Sequence, residues 1–114
     1  MSKISIEAKV EFILLMIENI YKIIDRHNGV FKALYDSIEG RPAILMCLMQ
    51  IGESLNKIDK SILERFDLID DTKGSYNVRN FIAHDYDGVD LSLIEMILRD
   101  RLPILKTKIL KLKL

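Results

Sequence analysis

The chain has 114 residues, seventeen of them basic and seventeen acidic, with one cysteine and no tryptophan. That length is enough for one domain, taken as residues 1–114, to bury a core without disulfides or metal. A formal net charge of zero argues against a protein that coats nucleic acid by bulk charge, while leaving room for a local site.

In chain order, the opening MSKISIEAKVEF mixes charges among its apolar residues and has no secretory core. The longest apolar runs, FILLMI and AILMCLM, fall far short of the roughly 20 residues that a membrane span requires. A cytoplasmic protein without a membrane segment is expected. Over residues 4–27, Ile6, Val10, Ile13, Leu14, Ile17, Ile20, Tyr21 and Ile24 recur at helical spacing. Asn28-Gly29 closes this helix, because both residues tolerate the left-handed conformation. A shorter helix is expected over residues 30–37 and a turn at Gly40-Arg41-Pro42. Pro42 then opens a helix that runs to about residue 58. It is apolar on most sides up to Glu53 and is expected to form the buried centre. Cys47, inside AILMCLM, reads as a small buried hydrophobe.

Residues 61–66 read as a short helix and DLIDD, residues 67–71, as an acidic turn. The next helix is expected to begin near Thr72 or Ser75 and to stop at or just before Gly88. Asp90 suits the N-cap of a last helix, apolar at Leu91, Leu93, Ile94, Ile97 and Leu98. Pro103 falls inside that pattern and is expected to kink or restart it. The tail, KTKILKLKL, has its apolar residues at mixed spacing. With no strand alternation and no internal repeat, the fold class is all-α, an antiparallel helical bundle.

The stretch best suited to chemistry is residues 75–90, SYNVRNFIAHDYDGVD, where Arg79, His84 and Tyr86 stand in order. Arg79 carries a permanently charged fork that fits the non-bridging oxygens of a phosphodiester. His84 can take a proton from an attacking hydroxyl or give one to a leaving oxygen. The two suffice in principle for metal-free RNA cleavage. The 2′-hydroxyl attacks its own phosphate, His84 handles a proton, and Arg79 stabilises the transition state. DNA lacks the internal nucleophile, so RNA is the expected substrate and DNA is not.

Residues five apart on an ideal helix lie about 140° apart around its axis. Arg79 and His84 therefore converge only if the helix is distorted or ends near His84, or if a second copy completes the site. Each residue also has a structural reading. Arg79 suits an ion pair with Asp85 or Glu53, His84 a hydrogen-bonded structural role, and Tyr86 an aromatic place at the core edge.

RNFIAHDYDGVD resembles the signature of the HEPN superfamily in its R-x-x-x-x-H-x-Y form, typical of HepT-like toxins from prokaryotic toxin–antitoxin pairs. MQIGESLNKI, residues 49–58, is similar to the central helix of that family, and LPILKTKI, residues 102–109, to its closing helix. The resemblance implies a four- to five-helix bundle that dimerises with the motif facing the two-fold axis. It implies a metal-independent endoribonuclease, without a cofactor, that cuts cellular messenger or transfer RNA. It also implies a cognate nucleotidyltransferase antitoxin that transfers AMP from ATP to the motif tyrosine. Arg79 and His84 then take the catalytic places and Tyr86 the modified one. Asn80 takes the polar place after the arginine, orienting substrate or a neighbouring side chain.

Gly52 inside a helix costs about 1 kcal/mol relative to Ala, which points to a close helix approach. Glu53 beside it is placed either to brace Arg79 or as an ordinary helix-end carboxylate. Asp67, Asp70, Asp71, Asp85, Asp87 and Asp90 make the motif's flanks acidic. The lysine-rich tail, or Arg41, Lys57 and Lys60, would supply positive surface, and Asp85 would favour a charged His84 if the two approach. His27, His84 and Cys47 are far apart in sequence, so no metal site is expected. The alternative to a nuclease is a non-catalytic HEPN module that binds a nucleotidyltransferase partner or a nucleotide. A helical oligomerisation domain is a third reading.

Overall fold

The computed structural model describes residues 3–113. Its first helix, α1 (Lys3–Arg26), buries Val10, Ile13, Ile17 and Ile20, the stripe every three or four residues that a one-sided helix turns inward. The expected stop holds. Asn28 at φ 60° and Gly29 at φ 133° leave the right-handed region, and the Gly29 N–H reaches the Ile24 carbonyl at 3.0 Å.

Helix α2 (Val30–Leu34) is shorter than the sequence suggests. The cause is Asp36, whose carboxylate accepts the backbone N–H groups of Ile38, Glu39 and Gly40 at 3.1, 3.2 and 3.1 Å. A side chain that captures the backbone in this way halts one helix and starts the next. The next, α3 (Gly40–Leu55), therefore begins two residues before Pro42 and ends short of residue 58. Pro42 still lies in the first turn, where its missing N–H has no intrahelical partner to lose.

Helix α3 is the centre of the molecule, packed against α1 on one side and against α5 on the other. Ile44, Leu45, Ile51 and Leu55 are fully buried, each contributing about 1.5–3 kcal/mol. Cys47 is buried with them, and burial raises its thiol pKa, which leaves it inert.

Helix α4 (Lys60–Arg65) sits where a short helix was expected. Helix α5 (Ile69–His84) starts earlier than Thr72 and takes in the end of the acidic run. Asp70 and Asp71 fall in its first turn, where unpaired N–H groups favour carboxylates. The turn shrinks to Asp67, at φ 56°, and the buried Leu68.

Asp90 caps α6 (Leu91–Met96), its Oδ1 accepting from the Ser92 and Leu93 N–H groups at 3.0 and 3.4 Å. Pro103 cannot donate to the helical ladder. The backbone widens just before it into a π-helical turn, Ile97–Arg101, and resumes as α7 (Leu102–Leu112), with Pro103 in the first turn. The tail's spacing proves regular, since Leu102, Leu105 and Ile109 form the buried stripe of α7.

The result is an all-α bundle of α1, α3, α5 and the α6–α7 rod, joined by the short α2 and α4. Among the described residues no helix is long and apolar enough to cross a membrane.

Candidate active site

Ile82 anchors the last turns of α5 in the core, while Asn80, Phe81, Ala83 and His84 around it are exposed. What brings this helix close to α3 is Gly52. A Cβ there would stand 2.5 Å from the Ser75 carbonyl oxygen and 3.0 Å from the Arg79 Cβ, so any other residue would push the helices apart.

The close approach sets Glu53 beside Arg79. Arg79 Nε donates to Glu53 Oε1 at 2.8 Å, and Nη2 forms an ion pair with the same oxygen. Arg79 Nη1 donates to Asn80 Oδ1 at 3.0 Å. The guanidinium also lies over the Tyr76 ring, one turn back, 5.6 Å from its centroid. Of the two pairings open to Arg79, Glu53 is therefore the partner and Asp85 is not. Nη1 and Nη2 each carry a second N–H, so the braced fork keeps donors for an anion.

His84 is the last residue of α5, and the chain leaves the helix at Asp85 with φ −147° and ψ 79°. The helix thus ends at the histidine itself, where convergence with Arg79 requires it to. One open depression is lined by Arg79, Asn80, Phe81, Ala83 and His84, and it joins the two chemical side chains across their five-residue offset. Among the described residues His84 has no hydrogen-bond partner. Asp85 does not engage it, because its Oδ1 accepts the Gly88 N–H at 3.1 Å and closes the following turn. Tyr86 stands in that turn, 43% exposed.

Most of the acidic flank is committed elsewhere. Lys108 Nζ bonds Asp71 at 2.6 Å and pairs with Asp67 at 3.3 Å, and Arg101 reaches Asp71 at 3.2 Å. Asp85 and Asp90 close turns. That leaves Asp70 and Asp87, among the described residues, without an ion pair or hydrogen bond. The same contacts correct the expected role of the tail. Lys106 pairs with Glu18, Lys108 with Asp71, and Lys113 with Glu11, so these lysines hold α7 to the bundle. Arg41 donates to the Leu34 carbonyl at 2.8 Å, whereas Lys57 and Lys60 remain exposed.

Two members of the site escape a reading of residue types. Tyr76 underlies Arg79, and Phe81 shares the depression with Arg79 and His84. The inward pair Val78 and Ile82, four apart, was the available signal, since it leaves Phe81 off the buried face. Among the described residues no group of three or more His, Cys, Asp or Glu side chains is arranged to hold a metal ion.

A family model described as Ribonuclease HepT-like matches residues 13–112. No curated protein and no solved structure matches the chain significantly. The matched region runs from α1 to the end of α7 and includes every residue of the site, and the chain belongs to the HepT-like ribonuclease family.

Proposed function

We propose that this protein is the toxin of a toxin–antitoxin pair, an endoribonuclease that cuts cellular messenger or transfer RNA without a metal ion. The observation that carries the reading is Arg79, braced by Glu53 and Asn80 yet retaining outward N–H groups, on the same open depression as His84. A phosphate seated on those N–H groups lies beside the imidazole. The 2′-hydroxyl of the preceding nucleotide bonds to phosphorus and gives up its proton, while the bond to the 5′-oxygen breaks and that oxygen gains one. His84 carries out one of these transfers. Arg79 stabilises the charge that builds on the non-bridging oxygens. The products are a 2′,3′-cyclic phosphate and a 5′-hydroxyl.

Proton removal and proton delivery lie on opposite sides of phosphorus, and one His84 cannot reach both at once. A second copy across a two-fold axis supplies the other, which makes the working form a homodimer through the motif helix. The open shape of the depression suits completion by a second surface.

Control is exerted on Tyr86 by a cognate nucleotidyltransferase antitoxin. Its phenolic oxygen bonds to the α-phosphorus of ATP, pyrophosphate leaves, and the hydroxyl proton is lost. The new phosphodiester places negative charge two residues from His84, where it competes with RNA for Arg79. The exposure of Tyr86 in its turn supports access by such a partner. The cytoplasm, where both RNA and ATP are abundant, is the proposed location.

The test is incubation of the full-length, unmodified protein with total cellular RNA in EDTA, beside His84→Ala. Intact mass verifies that Tyr86 is free, and circular dichroism that both proteins are folded. Cleavage leaving cyclic phosphate ends is expected, about 100-fold slower or more for His84→Ala. If neither protein cuts RNA, the reading passes to the non-catalytic module that binds a nucleotidyltransferase or a nucleotide.

A further inference from the structure

Phe81 is 63% exposed, more than any other aromatic side chain among the described residues. It stands between Arg79-Asn80 and Ala83-His84 on α5, and it lines two surfaces at once. One is the depression that holds Arg79 and His84. The other is an apolar groove of about 370 Å³ between α5 and the α6–α7 rod, walled by Val78, Leu93, Met96, Ile97 and Leu105. That volume lies within the range of roughly 300–1,000 Å³ typical of small-molecule sites. Its apolar lining is interrupted by Asp70, Ser75 and Asn77 and by the Asp71–Arg101 ion pair.

Resting on the ribonuclease reading, we propose that Phe81 and this groove hold the nucleobase of a nucleotide flanking the scissile phosphate, with the unpaired base stacked on the Phe81 ring. A phosphate on Arg79 fixes the adjoining nucleoside within one nucleotide's reach, and Phe81 is the apolar surface continuous with that position. Every base has a π-face, so the stack adds affinity without demanding one sequence. The chain needs such a term, because its net charge is zero and phosphate attraction alone supplies little.

The polar groups of the groove suit the base edge. The Ser75 hydroxyl and the Asn77 amide can each donate and accept. Asp70, which has no ion pair among the described residues, can accept from an exocyclic amino group. Covering the groove with a second apolar protein surface would instead strand that carboxylate away from water. Bases of a duplex are already stacked and paired, so the site selects loops, bulges and ends of RNA.

The test uses the full chain carrying His84→Ala, in which cutting is expected to be at least about 100-fold slower, and single-stranded oligoribonucleotides with 2-aminopurine at successive positions. Binding is expected to quench fluorescence at one position. Phe81→Leu, in the same background, abolishes that quench and weakens binding about 10-fold, the size of one base–aromatic stack. Phe81→Trp retains both. An abasic nucleotide at the quenched position weakens binding to the Phe81 protein but not to Phe81→Leu.

An unchanged quench and affinity in Phe81→Leu would overturn the proposal. So would a variant whose only change is loss of the dimer in sedimentation velocity, which would assign the groove to a second copy. If the wild type cuts no RNA but a Phe81-dependent quench is seen, the stacking site stands and the ribonuclease reading fails. If the wild type cuts RNA and Phe81→Leu cuts with the same KM, the stacking proposal alone fails.

Discussion

Arg79 bonds Glu53 and Asn80 and still faces outward, and whether those bonds serve stability or orientation is decided by magnitude. The Arg79 and Glu53 side chains are 28% and 38% exposed, a setting in which an ion pair contributes about 0–1 kcal/mol. A loosened guanidinium, by contrast, loses the pre-set geometry on which transition-state stabilisation depends. Glu53→Gln is therefore expected to melt within about 5 °C of the wild type, while RNA cleavage falls roughly 10-fold or more. A large drop in melting temperature with unaltered kcat would make the pair structural. Tyr86 gives a complementary expectation. Tyr86→Phe keeps the ring, so it should cleave RNA as the wild type does, yet gain no AMP when incubated with ATP and the antitoxin. At this scale the candidates Arg79 and His84 stood out by residue type, whereas the place given to Tyr86 rests on the family resemblance alone. Tyr76 and Phe81 did not stand out, because what sets them apart is which neighbours they face rather than their chemistry alone.

Helix spacing carried α1, the body of α3 and the cap at Asp90 from sequence to structure, since each depends on contacts within a few residues. The bounds of α2 and α3 shifted because the Asp36 carboxylate captures nearby amides, and other errors lie where a distant side chain decides. The early start of α5 places Asp71 in reach of Lys108 and Arg101, more than twenty-five residues on, and the lysines interleaved in α7 concealed its buried stripe. Gly52 tests the α3–α5 contact. Alanine would gain about 1 kcal/mol in helix propensity, but its Cβ would meet a backbone oxygen at 2.5 Å, and overpacking costs about 1–3 kcal/mol. Gly52→Ala should lower both the denaturation midpoint and the cleavage rate, by separating Arg79 from Glu53. A stabilised, fully active variant would contradict the close approach.

The end of α1 carries a pH-dependent lock that sequence spacing did not reveal. His27 Nδ1 donates to the Ile23 carbonyl at 2.8 Å and Nε2 to Asp36 at 2.9 Å. Both partners are acceptors, so the doubly protonated ring satisfies both. The Ile23 carbonyl and then Asp36 raise the His27 pKa above 6.5. His27, followed by the amides of Gly40, Ile38 and Glu39, holds Asp36 far below the usual carboxylate range. The histidine's contribution is complete below its unfolded value of 6.5 and is lost as pH rises through the raised folded value. The aspartate's contribution is present above 3.8 and is lost only as pH falls through its depressed value. The melting-temperature gap between wild type and His27→Gln should accordingly be widest near pH 5 and should narrow as pH rises beyond neutrality. A gap constant from pH 5 to pH 9 would mean that the ring is held without its second proton.

For the whole molecule, the balance of seventeen basic and seventeen acidic residues conceals an uneven use of cations. Lys106, Lys108 and Lys113 hold α7 to α1 and to the start of α5, and the basic side chains lining the reactive depression are Arg79 and His84. RNA binding through so few cations has a measurable signature. For single strands, log K falls with log salt at a slope of about −0.7 per phosphate neutralised. One Arg79 in each protomer predicts a slope near −0.7, or near −1.4 where one strand spans both copies of a dimer. Raising salt from 50 to 200 mM should then weaken RNA binding to the His84→Ala protein only about three- to sevenfold, because stacking is uncharged and insensitive to salt. Arg79→Ala in that background should flatten the slope by about 0.7 per copy, whereas Phe81→Leu should lower affinity and leave the slope unchanged. A wild-type slope steeper than about −3 would require further cations. Arg101, which lines the groove beside Phe81, is the first candidate, and the exposed Lys57 and Lys60 beyond the end of α3 are the next.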